Sequence, residues 1–379
     1  MLSRVIAFVF AALPLLGCGG DEAVPCPVQT WSATTRCMQT ARAGAAGAPE
    51  MISSSGCYAD VAKHRVDDTL FPYEVASPLW TDGALKRRFI ALPDGAQLSA
   101  GSSGGAWTFP AGTVLVKEFW VPARDDDARF SQARLVETRF LVKQDDDAWG
   151  GYSYQWNEDQ SDARLLSEEG DAKVYAVTRE GGSASHKHIF PSRKDCFWCH
   201  RSERPVPLGI RTAQLNRALG DSITRSVGAV CGDAQENQLA LLVRAGLVAP
   251  SDALAQPDKL AAMATPMAAD SGASVEQRAR SYLDANCSFC HYGKLFPSMD
   301  LGFGVPLSQM AACNAPSYRS DIGSILLVPG DAKSSVLWLR MVSRDFLVGM
   351  PPAGTERVDQ GAADLVAQWI NSLEGCPAP

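Results

Sequence analysis

Histidine is scarce, five in 379 residues, and two of the five belong to the repeated run described below, which leaves only His64, His186 and His188 as further imidazole candidates. Positive charge is not in excess either: 35 Lys and Arg stand against 42 Asp and Glu, a formal net charge of −7. That balance argues against nucleic-acid or anionic-membrane binding as a main activity, because both need a basic face. Any protein partner is expected to present a basic docking patch of its own. The apolar run Val5 to Leu16 is too short to cross a bilayer as a permanent helix, which makes a transmembrane anchor the weaker reading there. The acidic triplets Asp125-Asp126-Asp127 and Asp145-Asp146-Asp147 lack the spaced carboxylates and glycine of an EF-hand, so they read as solvated hairpin turns rather than calcium loops.

What the chain does have is Cys-x-x-Cys-His, twice: Cys196-Phe197-Trp198-Cys199-His200 and Cys287-Ser288-Phe289-Cys290-His291. In this run two thiols close thioether bonds on porphyrin vinyls and the adjacent His reaches the iron from the same side. At this content of Cys and His one such run arises by chance roughly 0.004 times per chain, and two about 10⁻⁵ times. Two covalently bound haem c groups are therefore expected, attached through Cys196, Cys199, Cys287 and Cys290, with His200 and His291 as iron ligands. Zinc is the competing reading, but structural zinc suits a reduced intracellular chain better.

The amino end points to export. Arg4, the apolar core, and Leu15-Leu16-Gly17-Cys18 resemble a bacterial lipoprotein signal, in which residues 1–17 are removed and Cys18 is lipidated. Acyl chains would hold a soluble body at a membrane surface. Gly19 follows where inner-membrane retention would favour Asp, so the expected address is the cell envelope, at the outer membrane facing the periplasm. Six cysteines then remain, Cys26, Cys37, Cys57, Cys231, Cys313 and Cys376, enough for three disulfides with fifteen pairings open. Cys313 with Cys376 is the pairing to try first.

Residues 18–56, with their Gly, Ala, Ser and Pro clusters, read as a flexible tether. From 57 to 205 the pattern is strand-like, with β-rich runs at Lys86–Leu92, Thr113–Val121, Ala133–Val142, Tyr152–Trp156 and Lys173–Thr178. Residues 206–273 read as a helical connection, helical over Leu208–Leu219 and Glu236–Leu247. In 274–379, Ser274 and Gln277 form a capping box ahead of a stripe leading into Cys287, and Ala362, Leu365, Val366, Trp369, Ile370 and Leu373 keep an amphipathic helical rhythm. Between them Gly349-Met350-Pro351-Pro352 forces an extended loop that carries a thioether. The expected fold is thus α+β: an antiparallel β-rich domain with one haem run at its end, then an all-α domain with the second.

A helix before the haem run, a late Met in a Met-Pro-Pro loop and a closing helix with Trp369 resemble a class I mono-haem cytochrome c domain over residues 274 to 375. The resemblance implies axial ligation by His291 and Met350, with Met341 in the core. The first haem is less determined. His188 lies twelve residues before His200 and could fold back over the ring as second ligand, or be an ordinary strand-end His; Met263 and Met267 are further candidates; or the iron has no second protein ligand. Phe109-Pro110-Ala111-Gly112-Thr113 running into Val114–Glu118, with a haem run after the sheet, loosely resembles the β-sheet cytochromes c-prime and their hydroxylamine-oxidising relatives with a lysine-linked haem. That likeness implicates Lys117, whose plain reading is an exposed strand lysine.

Taken whole, Cys57 to Cys376 resembles exported bacterial dihaem c-type cytochromes of a haem-binding family without a characterised function. Phe190-Pro191-Ser192-Arg193, Leu208-Gly209, Gln214-Leu215-Asn216 and Asp284-x-Asn286-Cys287 carry the likeness. The expected function is single-electron transfer between redox proteins, from the first haem to the second. The alternative is a haem enzyme, a peroxidase or a nitrogen-oxide or hydroxylamine oxidoreductase, with an open first iron. A binding role for the β domain itself is a third.

Overall fold

In the computed structural model the described residues are 36–42, 47–101, 107–125, 127, 129–144, 148–180, 182–200, 207–218, 236–294, 298–352 and 354–378. The signal segment 1–17, Cys18, Cys26, Cys231, Met-free residues 219–235, Asp126, the second acidic triplet and the side chain of Cys199 lie outside them.

The centre is a six-stranded antiparallel meander, β3 (Phe71–Pro72), β4 (Leu85–Ala91), β5 (Val114–Pro122), β6 (Ala133–Lys143), β7 (Trp149–Trp156) and β8 (Ala163–Leu165), in that spatial order. Side chains alternate across a strand, and on β5 both faces are covered. Val114, Val116 and Trp120 pack with the amino-terminal segment, including Cys37, Met38 and Ile52, and with the short ladder of β1 (Tyr58–Asp60) and β2 (Arg65–Val66). Leu115, Lys117, Phe119 and Val121 take the other face, which is shared by three neighbours. Leu115 joins a core with Leu215, Leu239 and Leu242; Phe119 and Val121 join Tyr175 and Val177; the space at Lys117 between these cores is the first cavity.

Two expectations change here. The tether was expected to run to residue 56, but α1 (Gln39–Arg42) and a disulfide between Cys37 and Cys57 fasten 36–57 to the sheet, with Cys37, Met38 and Ile52 fully buried. The stretch 206–273 is not a free-standing helical connection. Helix over Leu208–Leu219 shrinks to α3 (Thr212–Leu215), since the Asn216 side chain donates to the carbonyls of Pro257 (2.8 Å) and Leu260 (3.1 Å), tying the chain down where a helix would continue. With α4 (Gln238–Arg244) it packs apolar side chains onto the sheet. β9 (Asp171–Arg179) and β10 (Gly182–Phe190) form a hairpin over the sheet's far end, leading into α2 (Arg193–Cys199).

The expected all-α carboxy-terminal domain is overturned. Strand outweighs helix among the described residues, about 26% against about 21%, and no all-α unit is apparent among them. Residues beyond 274 hold two twelve-residue helices, α5 (Val275–Asn286) and α7 (Gln360–Asn371), and the six-residue α6 (Val336–Met341). The other described residues there form two short 3-10 turns, Leu307–Gln309 and Ala332–Ser334, with tight turns, loops and isolated bridges such as Cys313 to Leu327 and Ile325 to Ser335. The stretch from 292 to 335 carries no sustained helical or alternating period: Gly, Pro, Ser and Asn recur between short apolar runs such as Ile325 to Val328, so its backbone finds partners in turns. The capping box is present, Gln277 N–H to Ser274 Oγ at 3.1 Å and Ser274 N–H to Gln277 Oε1 at 2.9 Å. The Cys313–Cys376 disulfide is present too. No helix among the described residues is long and apolar enough to cross a membrane.

Candidate functional site: two adjoining Cys-x-x-Cys-His cavities

The first run is delivered by a hairpin and a capped helix. β10 ends at Phe190, Ser192 Oγ accepts from Asp195 N–H (3.0 Å), and the Asp195 carboxylate accepts from Ser192 N–H (3.0 Å). This capping box starts α2 where Cys196 and then His200 face a cavity of about 260 Å³. Burial, reinforced by Lys117 and Arg139, lowers His200 to about 4, and its Nδ1 is buried with no hydrogen-bond partner. A neutral imidazole is the form that binds iron.

His188 also lines this cavity, but its Nε2 is 2.7 Å from Glu137 Oε2, and Arg139 donates to the same carboxylate at 2.6 and 2.8 Å. Burial alone would raise Glu137; Arg139 and His188 outweigh it and hold the carboxyl at about 2. His188 is thus a buried, hydrogen-bonded residue two positions from the end of β10, anchored through one nitrogen. Met263 is buried elsewhere and Met267 is exposed, and neither borders the cavity. His64 packs against Trp120 and Trp156 on the opposite face of the sheet. Lys117 corrects the plain reading of an exposed strand lysine: it is directed into the cavity, and burial, followed by the charges of Arg88 and Arg139, lowers it to about 7.

The second run follows α5 without a break: Cys287 caps it, and His291 N–H bonds the Cys287 carbonyl at 2.9 Å. Cys287, Cys290 and His291 open on a cavity of about 380 Å³ walled mainly by apolar side chains. Burial lowers His291 to about 4, with Arg340 adding to it, and its Nδ1 too is buried without a partner. Burial raises the Cys287 thiol to about 12. Three methionines border this cavity. Met299 and Met341 belong to the packed core, while Met350 comes from the loop between α6 and α7, beside Pro351 and Pro352, which also line it. Met299 was not singled out by the sequence, because no motif surrounds it.

Phe289, inside the second run, and Pro351, after Met350, border both cavities. Polar clamps hold the two halves against each other. Asn286 Oδ1 accepts from Trp80 N–H (2.7 Å), and the Asp82 carboxylate accepts from the backbone N–H groups of Glu356 (2.9 Å) and Arg357 (2.9 Å). Arg357 donates to Asp125 at 2.8 Å, and Asp284 pairs with Arg211 while accepting from Phe303 N–H at 2.9 Å. Asp125, expected in a solvated turn, is therefore an anchor, and Asp127 of the same triplet pairs with Arg129. Asp284 and Asn286 were visible as a motif, but their partners across the two halves, Arg211 and Trp80, 73 and 206 residues away in sequence, were not.

Cys196 with His200 on one cavity, and Cys287, Cys290 and His291 on the other, each with a neutral imidazole whose Nδ1 is buried and unsatisfied, fit covalently attached haem. Among the described residues no three of His, Cys, Asp and Glu gather into a group that could hold a metal ion. No protein-family model, curated protein or solved structure matches the chain.

Proposed function

We propose that the protein is a lipid-anchored dihaem c-type cytochrome of the cell envelope that passes single electrons between redox proteins. The observation that carries this reading is the common wall: the cavities of the two Cys-x-x-Cys-His runs share Phe289 and Pro351. A covalently attached haem supplies a reversible one-electron iron couple. The chain's part is to attach, orient and insulate. Cys196, Cys199, Cys287 and Cys290 would carry the thioether links; His200 and His291 are kept neutral and ready to ligate; the Met350 sulfur borders the second cavity and would complete its ligand set. Apolar walls around the second cavity exclude water and favour the less charged state of the site.

Pyridine haemochrome analysis is expected to give two haems per chain, and redox titration two one-electron couples. The higher couple should fall in Met350→Ala and stay put in Met341→Ala and Met299→Ala. A chain with fewer than two haems, or a lower rather than higher potential for the haem beside Met350, would sink the proposal.

A second reading is favoured by one contrast. The first cavity is bordered by Lys117, Arg139 and His188 and by no methionine among the described residues, whereas the second has three. A site with charged groups and no thioether suits binding or conversion of a small molecule. Carbon monoxide uptake by the reduced Met350→Ala and wild-type proteins alike would favour this reading, and exclusion from both would remove it.

A further inference from the structure

The register of the central sheet sets three cations in one row. Arg88 of β4 lies directly opposite Lys117 of β5, which lies directly opposite Arg139 of β6, and all three border the first cavity. Like charges directly opposite one another on neighbouring strands are destabilising. Only Arg139 has a compensating carboxylate, Glu137. Neither Arg88 nor Lys117 has an ion pair among the described residues; Lys117 Nζ lies over the face of Phe119, 5.5 Å from its centre.

The acidic groups that could serve them are engaged elsewhere. Of the carboxylates bordering the cavity, Glu168 pairs with Arg193, Asp195 closes the capping box with Ser192, and Asp82 accepts backbone N–H groups of Glu356 and Arg357. Glu74, close to Arg88, is paired with Arg217 at 3.3 Å. The next row of the sheet on one side, Ile90, Leu115 and Leu141, is apolar. The cavity therefore has a floor of three basic side chains, two of them without an ion pair among the described residues, bounded on one side by hydrocarbon, in a negatively charged protein.

We propose that the Arg88–Lys117–Arg139 row is an anion-binding floor that takes a carboxylate or a small planar oxyanion. The inference rests on the dihaem reading for where that anion comes from: a propionate of the haem at His200, or a free anion of nitrite's size held beside the iron. A guanidinium is suited to both, since its fork of N–H donors matches two oxygens at once.

The test uses the exported holoprotein with Arg88→Gln and Lys117→Gln, and nitrite as probe. Should nitrite bind in calorimetry and perturb the ferric haem spectrum, with affinity falling at least tenfold in either variant and the propionate modes in resonance Raman unchanged, the free anion is the occupant. Should nitrite not bind while those modes shift and the potential of the His200 haem falls on loss of a neighbouring cation, the propionate is. Variants that match the wild type in nitrite affinity, propionate modes and potential overturn the floor. So does a loss of thermal stability alone, which a merely structural row would show. Haem count is a separate readout: a chain without the first haem removes the dihaem reading, and nitrite calorimetry on the same variants still decides the row.

Discussion

Asp82 and Arg357 hold each other reciprocally: the Asp82 carboxylate accepts the Arg357 backbone N–H at 2.9 Å, and the Arg357 guanidinium donates to the Asp82 carbonyl at 3.0 Å. The pair joins the loop before β4 to the segment after Met350, across 275 residues of chain. Because the carboxylate is buried and receives charge-assisted bonds, Asp82→Ala should cost about 2–3 kcal/mol in urea unfolding. It should also broaden or shift the couple assigned to the second cavity. Unchanged stability and unchanged couples would show the clamp to be incidental.

The two disulfides among the described residues close loops of different length, 63 residues for Cys313–Cys376 and 20 for Cys37–Cys57. Loop entropy predicts losses of about 4 and about 3 kcal/mol on replacing each pair with serines. Denaturant midpoints of the double-serine variants check the order; a larger loss from the shorter loop would show that the amino-terminal lid matters more than chain entropy.

His186 is buried, 2% exposed, with Nε2 unpartnered, and burial, then the charges of His188 and Arg357, lowers it to about 4. Unfolded, it titrates near 6.5, so between these values the unfolded chain binds the extra proton. Its contribution is therefore intact above about pH 6.5 and is lost as pH falls toward 4, by roughly 3 kcal/mol at most. Unfolding at pH 7.5 and 4.5 should show a smaller difference in His186→Phe than in the wild type; an equal difference would assign the acid sensitivity elsewhere.

Gly349 precedes Met350, and a Cβ there would sit 2.7 Å from the Ser343 carbonyl oxygen and 3.1 Å from that of Asp345. Both are backbone atoms, so the loop itself must move. Gly349→Ala should cost about 1–3 kcal/mol and displace the Met350 sulfur, seen as loss of thioether-ligated character in the optical spectrum of the haem proposed for the second cavity. Retention of that character would mean that the sulfur comes from Met299 or Met341.

Local chemistry was legible along the chain. The Cys-x-x-Cys-His runs are contiguous, so their residues share a site whatever the fold; the Ser274 capping box and the α7 stripe depend on neighbours within a turn or two; and the five β-rich runs each fall largely on a strand. β10 was missed because Gly182–Phe190 is mostly polar, its strand form resting on pairing with β9 rather than on alternation. The all-α expectation failed because two sound helices were extended over a span whose own composition favours turns.

By itself the sequence determined that two thiols and an imidazole share each run, since residues within five positions need no fold to bring them together. Tertiary structure alone decided that the two runs open on cavities with a common wall, that Lys117 turns inward, and that Arg88, Lys117 and Arg139 fall into one row. Those relationships depend on strand register and on clamps between distant residues, and a shift of one residue in register would have turned every one of these cations to the other face of the sheet.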